Sequence, residues 1–191
     1  MVSLDDLLAD LTSGDESLAD AASSELAQAG ESVLPKLSIL LESTDADHRW
    51  WAVRTLAQTE EPPLEWLRRV LNDPSSEVRE AAALALSSHP DEESIPVLIR
   101  ALSDSDSMVG MLAVNALALI GKAAVPLLLD AYENAPPNAR IHILHTLAEI
   151  HDHRVIAVMM KAMDVDSAIL NYWAKEGLER LGLNMVYIKP E

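Results

Sequence analysis

Residues 72–104 read NDPSSEVREAAALALSSHPDEESIPVLIRALSD, and this stretch decides the fold. Val78, Ala82 and Leu86 fall four residues apart, which places them on one stripe of a helix. His89-Pro90-Asp91 supplies turn residues, and Ile95, Leu98 and Leu102 begin a second helical stripe. The spacing predicts a helix over 78–88, a tight turn over 89–91 and a helix over 95–102.

The rest of the chain lays over this unit. Positions equivalent to Val78 are Leu18, His48, Val109, Ala139 and Leu170, so the successive spacings are 30, 30, 31, 30 and 31 residues. Eight residues beyond each stands a leucine: Leu26, Leu56, Leu86, Leu117, Leu147 and Leu178. Four residues beyond stand Ala22, Ala52, Ala82, Ala113, Ile143 and Ala174, small in five of six. A small residue in the middle of an apolar stripe lets a neighbouring helix approach closely, and the leucine fills the layer behind it.

The second helices keep their own register through Leu34, Leu64, Ile95, Val125 and Val155, and Leu4 and Leu7 extend it backward by 30 to an opening helix over 3–11. Turn chemistry agrees. Gly30, Gly121 and Gly182 share a place where a helix ends and positive φ is needed, and Glu60, Pro90 and His151 occupy it elsewhere. Pro35, Pro96 and Pro126 stand one residue into their second helices, where the missing N–H costs nothing.

A repeat of 30 to 31 residues made of two short helices is the mark of an all-α solenoid, in which no unit buries its own apolar faces and stacking supplies the core. The expectation is a single domain over 1–191, a right-handed α-α superhelix of about six helical pairs, with residues 1–14 as an N-terminal capping helix and 183–191 as a non-repeat tail. Alternation at Met185-Val186-Tyr187-Ile188 suggests a short extended cover for the last unit, closed further by Tyr172, Trp173 and Tyr187.

The run DPSSEVREAAALALSSH followed by SIPVLIRALSD resembles the short HEAT-like repeat of the PBS (phycobilisome) lyase class, whose pattern is an Asp, then Val-Arg, spaced alanines and a leucine, then Ile-Pro and leucines. The resemblance runs from about Leu4 to Gly182. It implies that an Asp before each first helix pairs with an Arg near its start along the stack. Arg49, Arg79 and Arg140 hold the arginine place, Asp45, Asp73, Asp104 and Asp106 are the candidate acids, and Ala19, Gly110 and Asn171 break the ladder.

An apolar content of 49% with 24% charged residues describes a folded chain, and the absence of Phe leaves Leu, Ala, Val, Ile and Met to build a helical core. Without cysteine there is neither disulfide nor thiolate chemistry. No apolar run reaches the roughly 18 residues of a membrane span, and aspartates stand where a secretory signal would carry lysines, so the expected location is cytoplasmic. A net charge of −17 argues against nucleic acid, whose phosphates need Lys and Arg. Eight acidic residues and no basic one fall within positions 1–31, which suits either a solvated end or a basic partner.

One cluster invites metal chemistry: His142, His145 and Glu149 at i, i+3 and i+7 offer two imidazoles and a carboxylate on one helical face, a ligand set for Zn or Fe(II) in a metal-dependent oxygenase. The register also gives them ordinary places, since His142 shares its position with Trp51, Ala81, Leu112 and Trp173. Deoxyhypusine hydroxylase, another enzyme of HEAT-like repeats, holds its iron through His-Glu dipeptides, and this chain has none. No phosphate-cradling loop or nucleophile elbow is present, so no cofactor is implied.

The stronger candidate surface lies on the second helices, opposite the stripe of Ile95, Leu98 and Leu102. In HEAT-like solenoids these helices line the concave side. Trp66, Val97, Leu127 and Met160 would form an apolar track there, with Arg68, Arg69 and Arg100 beside it, a composition that protein interfaces favour. Adjacent Trp50 and Trp51 raise a similar question on a first helix, where one ring should be packed and the other more exposed. The expected activity is therefore a non-catalytic scaffold or adaptor holding a protein segment, with the acidic charge matching a basic one. A bilin lyase or phycobilisome-associated accessory and an acidic neutraliser of a basic partner are the alternatives.

Overall fold

The computed structural model describes residues 2–183. Among them are twelve α-helices and no strand: α1 (Leu4–Leu11), α2 (Glu16–Gln28), α3 (Leu34–Leu40), α4 (Ala46–Ala57), α5 (Leu64–Val70), α6 (Ser76–Ser88), α7 (Ile95–Ala101), α8 (Ser107–Ile120), α9 (Val125–Asn134), α10 (Pro137–Ile150), α11 (Ile156–Met163) and α12 (Ala168–Arg180). The expected extended cover at 185–188, with Tyr187, lies outside the described residues.

Local chemistry starts four of the first helices in the same way, while α10 and α12 have no side-chain cap. Asp15, Asp45, Ser75 and Asp106 are N-caps whose side-chain oxygens accept from the first-turn N–H groups of α2, α4, α6 and α8. Two residues earlier a second polar side chain braces the cap itself. The N–H of Asp15 donates to Ser13 Oγ, that of Asp45 to Ser43 Oγ, that of Ser75 to Asp73 Oδ1 and that of Asp106 to Asp104 Oδ1, at 3.2, 3.1, 2.9 and 2.8 Å. Helix α1 opens with a capping box between Ser3 and Asp6.

Short connections fold the chain back sharply, so each second helix packs chiefly on the first helix that follows it: α3 on α4, α5 on α6, α7 on α8, α9 on α10 and α11 on α12. The pairing is thus offset by half a unit from the frame drawn over 72–104. The way from a first helix to its own second helix runs through 3-10 turns such as Gly30–Val33, Glu92–Ser94, Gly121–Ala123 and His153–Val155.

The chain divides between His89 and Pro90 into two compact units. In the first, α4 lies between α2 and α6, with Ala22, Ala52, Ala82 and Leu26, Leu56, Leu86 all at most 2% exposed. In the second, α10 lies between α8 and α12, and Ala113, Ile143, Ala174, Leu117, Leu147 and Leu178 are buried in the same manner. Leu18 departs from its place in the register: it is 48% exposed, and Ala19, one residue on, is the buried member of that turn.

One buried ion pair locks the first unit. Arg49 donates from Nε and Nη2 to the two Asp73 oxygens at 2.7 Å each, and from Nη1 to the Ser43 carbonyl. The bidentate bonds raise the Arg49 pKa against the opposing effect of burial. The Arg of one first helix therefore meets the Asp that precedes the next, as the repeat pattern implies. A buried polar chain adds to this contact: Thr55 Oγ1 donates to Ser23 Oγ at 3.1 Å, and Gln58 Nε2 donates to the same oxygen at 2.9 Å.

Candidate functional site

The second helices carry a row five residues beyond each start. In the first unit Ala9, Ile39 and Arg69 are exposed, Ile39 at 69%. In the second unit Arg100, Asp130 and Met160 are exposed, Met160 at 47%. The neighbouring row is mixed, with Leu127 open at 44%, Trp66 half-buried and Val97 buried at 7%.

Val97 is a correction to the expected track. Helix α7 buries Ile95, Val97, Leu98 and Ala101 together, because it packs on both α8 and α9 and needs two adjoining stripes to do so. Val97 therefore belongs to the core, and it offers a partner no surface. Arg68 is half-buried, while Arg69 reaches out to Glu42 at 2.7 Å. Lys36 meets Asp5 at 3.3 Å and Lys161 meets Glu133 at 2.9 Å, so ion pairs bridge successive second helices within each unit. All of these pairs are at least half exposed, and each contributes little to stability.

Of the three metal candidates the structure brings two together, His145 Nε2 lying 3.7 Å from Glu149 Oε1, and leaves His142 apart. His142 turns its Nδ1 to the Leu102 carbonyl at 2.9 Å, and a Cβ built on Gly110 would sit 2.7 Å from its Cε1, so the ring occupies space that this glycine leaves free. His145 instead stacks on Trp173, with centroids 3.6 Å apart and planes 15° from parallel. Burial lowers the His145 pKa, and nearby Glu149 opposes that shift. Glu149 is itself bound to Arg180 at 2.6 Å, a contact that raises the arginine pKa. Among the described residues no group of three or more His, Asp and Glu side chains is placed to hold a metal ion. The i, i+3, i+7 spacing did predict a shared helix, but each side chain is taken by a different neighbour.

A second surface appears around the paired tryptophans. Neither ring is packed away: both are half-buried, edge to face with centroids 4.8 Å apart, and Arg54 Cζ lies 5.7 and 5.9 Å from their centres. Arg54 Nη2 in turn donates to Asp20 Oδ1 at 2.6 Å. Toward the start of α4, Trp50 separates two depressions. One, of about 370 Å³, includes Glu16, Asp45, Asp47, His48 and Trp51 in its lining; the other, of about 400 Å³, includes Asp47, Ser75, Glu77 and Val78. The register held the signal for this site, since Asp47 and Glu77 share one repeat position and Asp47 stands three residues before Trp50.

A sequence profile of HEAT repeats matches residues 4–86, 34–118 and 64–136, together well over half of the chain. No curated protein sequence matches it. Among solved structures, an engineered protein is 24% identical with a TM-score of 0.53, over 96% of this chain and 98% of that one. A designed armadillo repeat protein in complex with the peptide (KR)4 is 18% identical with a TM-score of 0.52, over 94% and 100%. The complex of CpcE and CpcF of phycocyanin lyase from Nostoc sp. is 21% identical with a TM-score of 0.58, over 75% and 96%. At these identities the likeness is of fold, an α-α solenoid of helical pairs. No helix among the described residues is long and apolar enough to cross a membrane.

Proposed function

The chain belongs to the HEAT repeat family, and from that premise we propose that it is a non-catalytic protein-binding module whose second helices hold a segment of a partner protein. The observation that carries the reading is that Leu127 and Met160 stand open on second helices of the unit that also exposes Arg100. Apolar side chains on α9 and α11 stand at 44% and 47% exposure, on helices whose inner stripes Val125, Leu128, Val158 and Met159 are buried. Trp66 and Arg69 are the corresponding residues of the first unit. The charge of −17 supports a basic partner.

The test is affinity capture from the native host with the wild type and with a variant carrying Leu127→Ser and Met160→Ser, followed by mass spectrometry. Both side chains are solvent-facing, so the variant is expected to melt within about 3 °C of the wild type while losing a specific captured protein. Identical captures from both would end the reading. The likeness to the phycocyanin lyase complex supports a second reading, an accessory to bilin-bearing proteins. That reading requires a shifted visible spectrum when the purified chain is mixed with bilin, and an unchanged spectrum removes it.

A further inference from the structure

We propose that the cleft on either side of Trp50 is a docking site for a basic, extended segment of a protein partner, with one cationic side chain seated in each depression. The inference does not rest on the second-helix surface, because it concerns the starts of first helices α2, α4 and α6 within the first unit.

The tryptophan pair already holds one cation. Toward the C-terminal end of α4 the two indoles meet one guanidinium, that of Arg54, and the Asp20 carboxylate binds that cation. Toward the N-terminal end the same combination of indole and carboxylate recurs, with His48, 3.9 Å from Asp45, as the one basic side chain in the two linings among the described residues. Glu16, Asp45 and Asp47 line one depression with Trp50 and Trp51, and Asp47 and Glu77 line the other with Trp50. Neither is lined by a lysine or arginine among the described residues. Arg49 is buried and committed to Asp73, and Arg79, which acts electrostatically on Glu77, donates from Nη1 to the Asp73 and Pro74 carbonyls.

A half-buried indole between acidic depressions recognises a cation through its π face and its neighbours through charge. The spacing sets the form of the occupant. Packed helices stand about 8–10 Å apart, and an extended chain of polyproline II form rises about 3.1 Å per residue with three residues per turn, so cations three residues apart share one face and reach successive depressions. A peptide with arginine at every third position among alanines is therefore the matched probe. The same peptide with citrulline for arginine keeps the shape and removes the charge.

Binding of the fluorescein-labelled arginine peptide is measured by anisotropy in about 0.15 M salt, where exposed charges are screened beyond about 8 Å. The wild type is expected to bind the arginine peptide and not the citrulline one. Trp50→Ala and Asp47→Asn should each weaken binding about fivefold, while Glu60→Gln with Glu61→Gln, which removes two exposed charges elsewhere in the same unit, changes it less than twofold. Asp47 is exposed, so Asp47→Asn tests the site without touching the core, and circular dichroism checks the fold of Trp50→Ala. Equal weakening by both carboxylate variants would show diffuse attraction to an acidic protein and overturn the proposal, as would equal binding of the two peptides. The Leu127→Ser and Met160→Ser variant is expected to bind the probe normally, which keeps this site separable from the second-helix surface.

Discussion

At the scale of single residues, the histidines show how a repeat register assigns a side chain its work. His142 stands where other repeats carry Trp51, Leu112 or Trp173, and its ring does the filling those residues would do. Because a carbonyl only accepts, Nδ1 must carry the proton in the bond to Leu102. The tautomer is therefore set by packing. Gly110 is the other half of the arrangement, at a position that is arginine in three other repeats. Gly110→Ala would gain about 1 kcal/mol of helix propensity but drive a methyl to 2.7 Å from the imidazole, an overpacking that costs about 1–3 kcal/mol. A net loss of about 1 kcal/mol is expected in urea unfolding. Adding His142→Ala should cancel the clash, so the two changes together are less harmful than their sum. Additive effects would show that the ring yields freely.

At the scale of helices and turns, most of the fold was legible in the sequence, because stripe spacing, caps and turn residues all repeat with the same period. Ala82, Ala113 and Leu117 are buried as their spacing required. What the spacing left undetermined was which helix a second helix would press against, since a half-unit offset keeps every residue in register; the sharp turns into the first helices decide it, braced by Ser and Asp side chains before α2, α4, α6 and α8. Val97 was illegible for a related reason: a seven-residue helix facing two neighbours buries two stripes. The candidate site was legible as exposed positions, but the acid-lined depressions beside Trp50 needed the side-by-side placement of α2, α4 and α6. His151 gives a prediction at this scale. It ends α10 at φ 53° and ψ 54°, in the place held elsewhere by Gly30, Gly121 and Gly182, all with positive φ. Its ring bonds the Glu149 carbonyl at 2.7 Å, which offsets part of the strain. His151→Gly is expected to match or exceed wild-type stability, and to exceed His151→Ala by about 1 kcal/mol, since alanine keeps the strain and loses the bond. Equal stability of the two variants would mean that the turn tolerates a Cβ without cost.

At the scale of the whole molecule, charge is the dominant unbalanced quantity. There are 31 acidic and 14 basic residues, so even complete pairing would leave 17 carboxylates without a basic partner. The exposed pairs Lys36–Asp5, Arg54–Asp20, Arg69–Glu42 and Lys161–Glu133 are each worth at most about 1 kcal/mol and fade with salt. Repulsion among the excess carboxylates fades with salt as well, and it acts over the entire surface. The bidentate Arg49–Asp73 bond is sheltered, at 11% and 8% side-chain exposure, so screening leaves it in place. Repulsion should therefore win. Raising sodium chloride from about 0.02 to about 0.5 M is expected to lift the melting temperature by a few degrees. Over the same range the arginine peptide should lose affinity, because screening that relieves the folded chain also weakens its hold on a cationic guest. A melting temperature that falls with salt would show that the surface pairs, rather than the net charge, govern stability. Affinity that holds steady while stability rises would mean that the guest is gripped by the indole rather than drawn by the carboxylates around it.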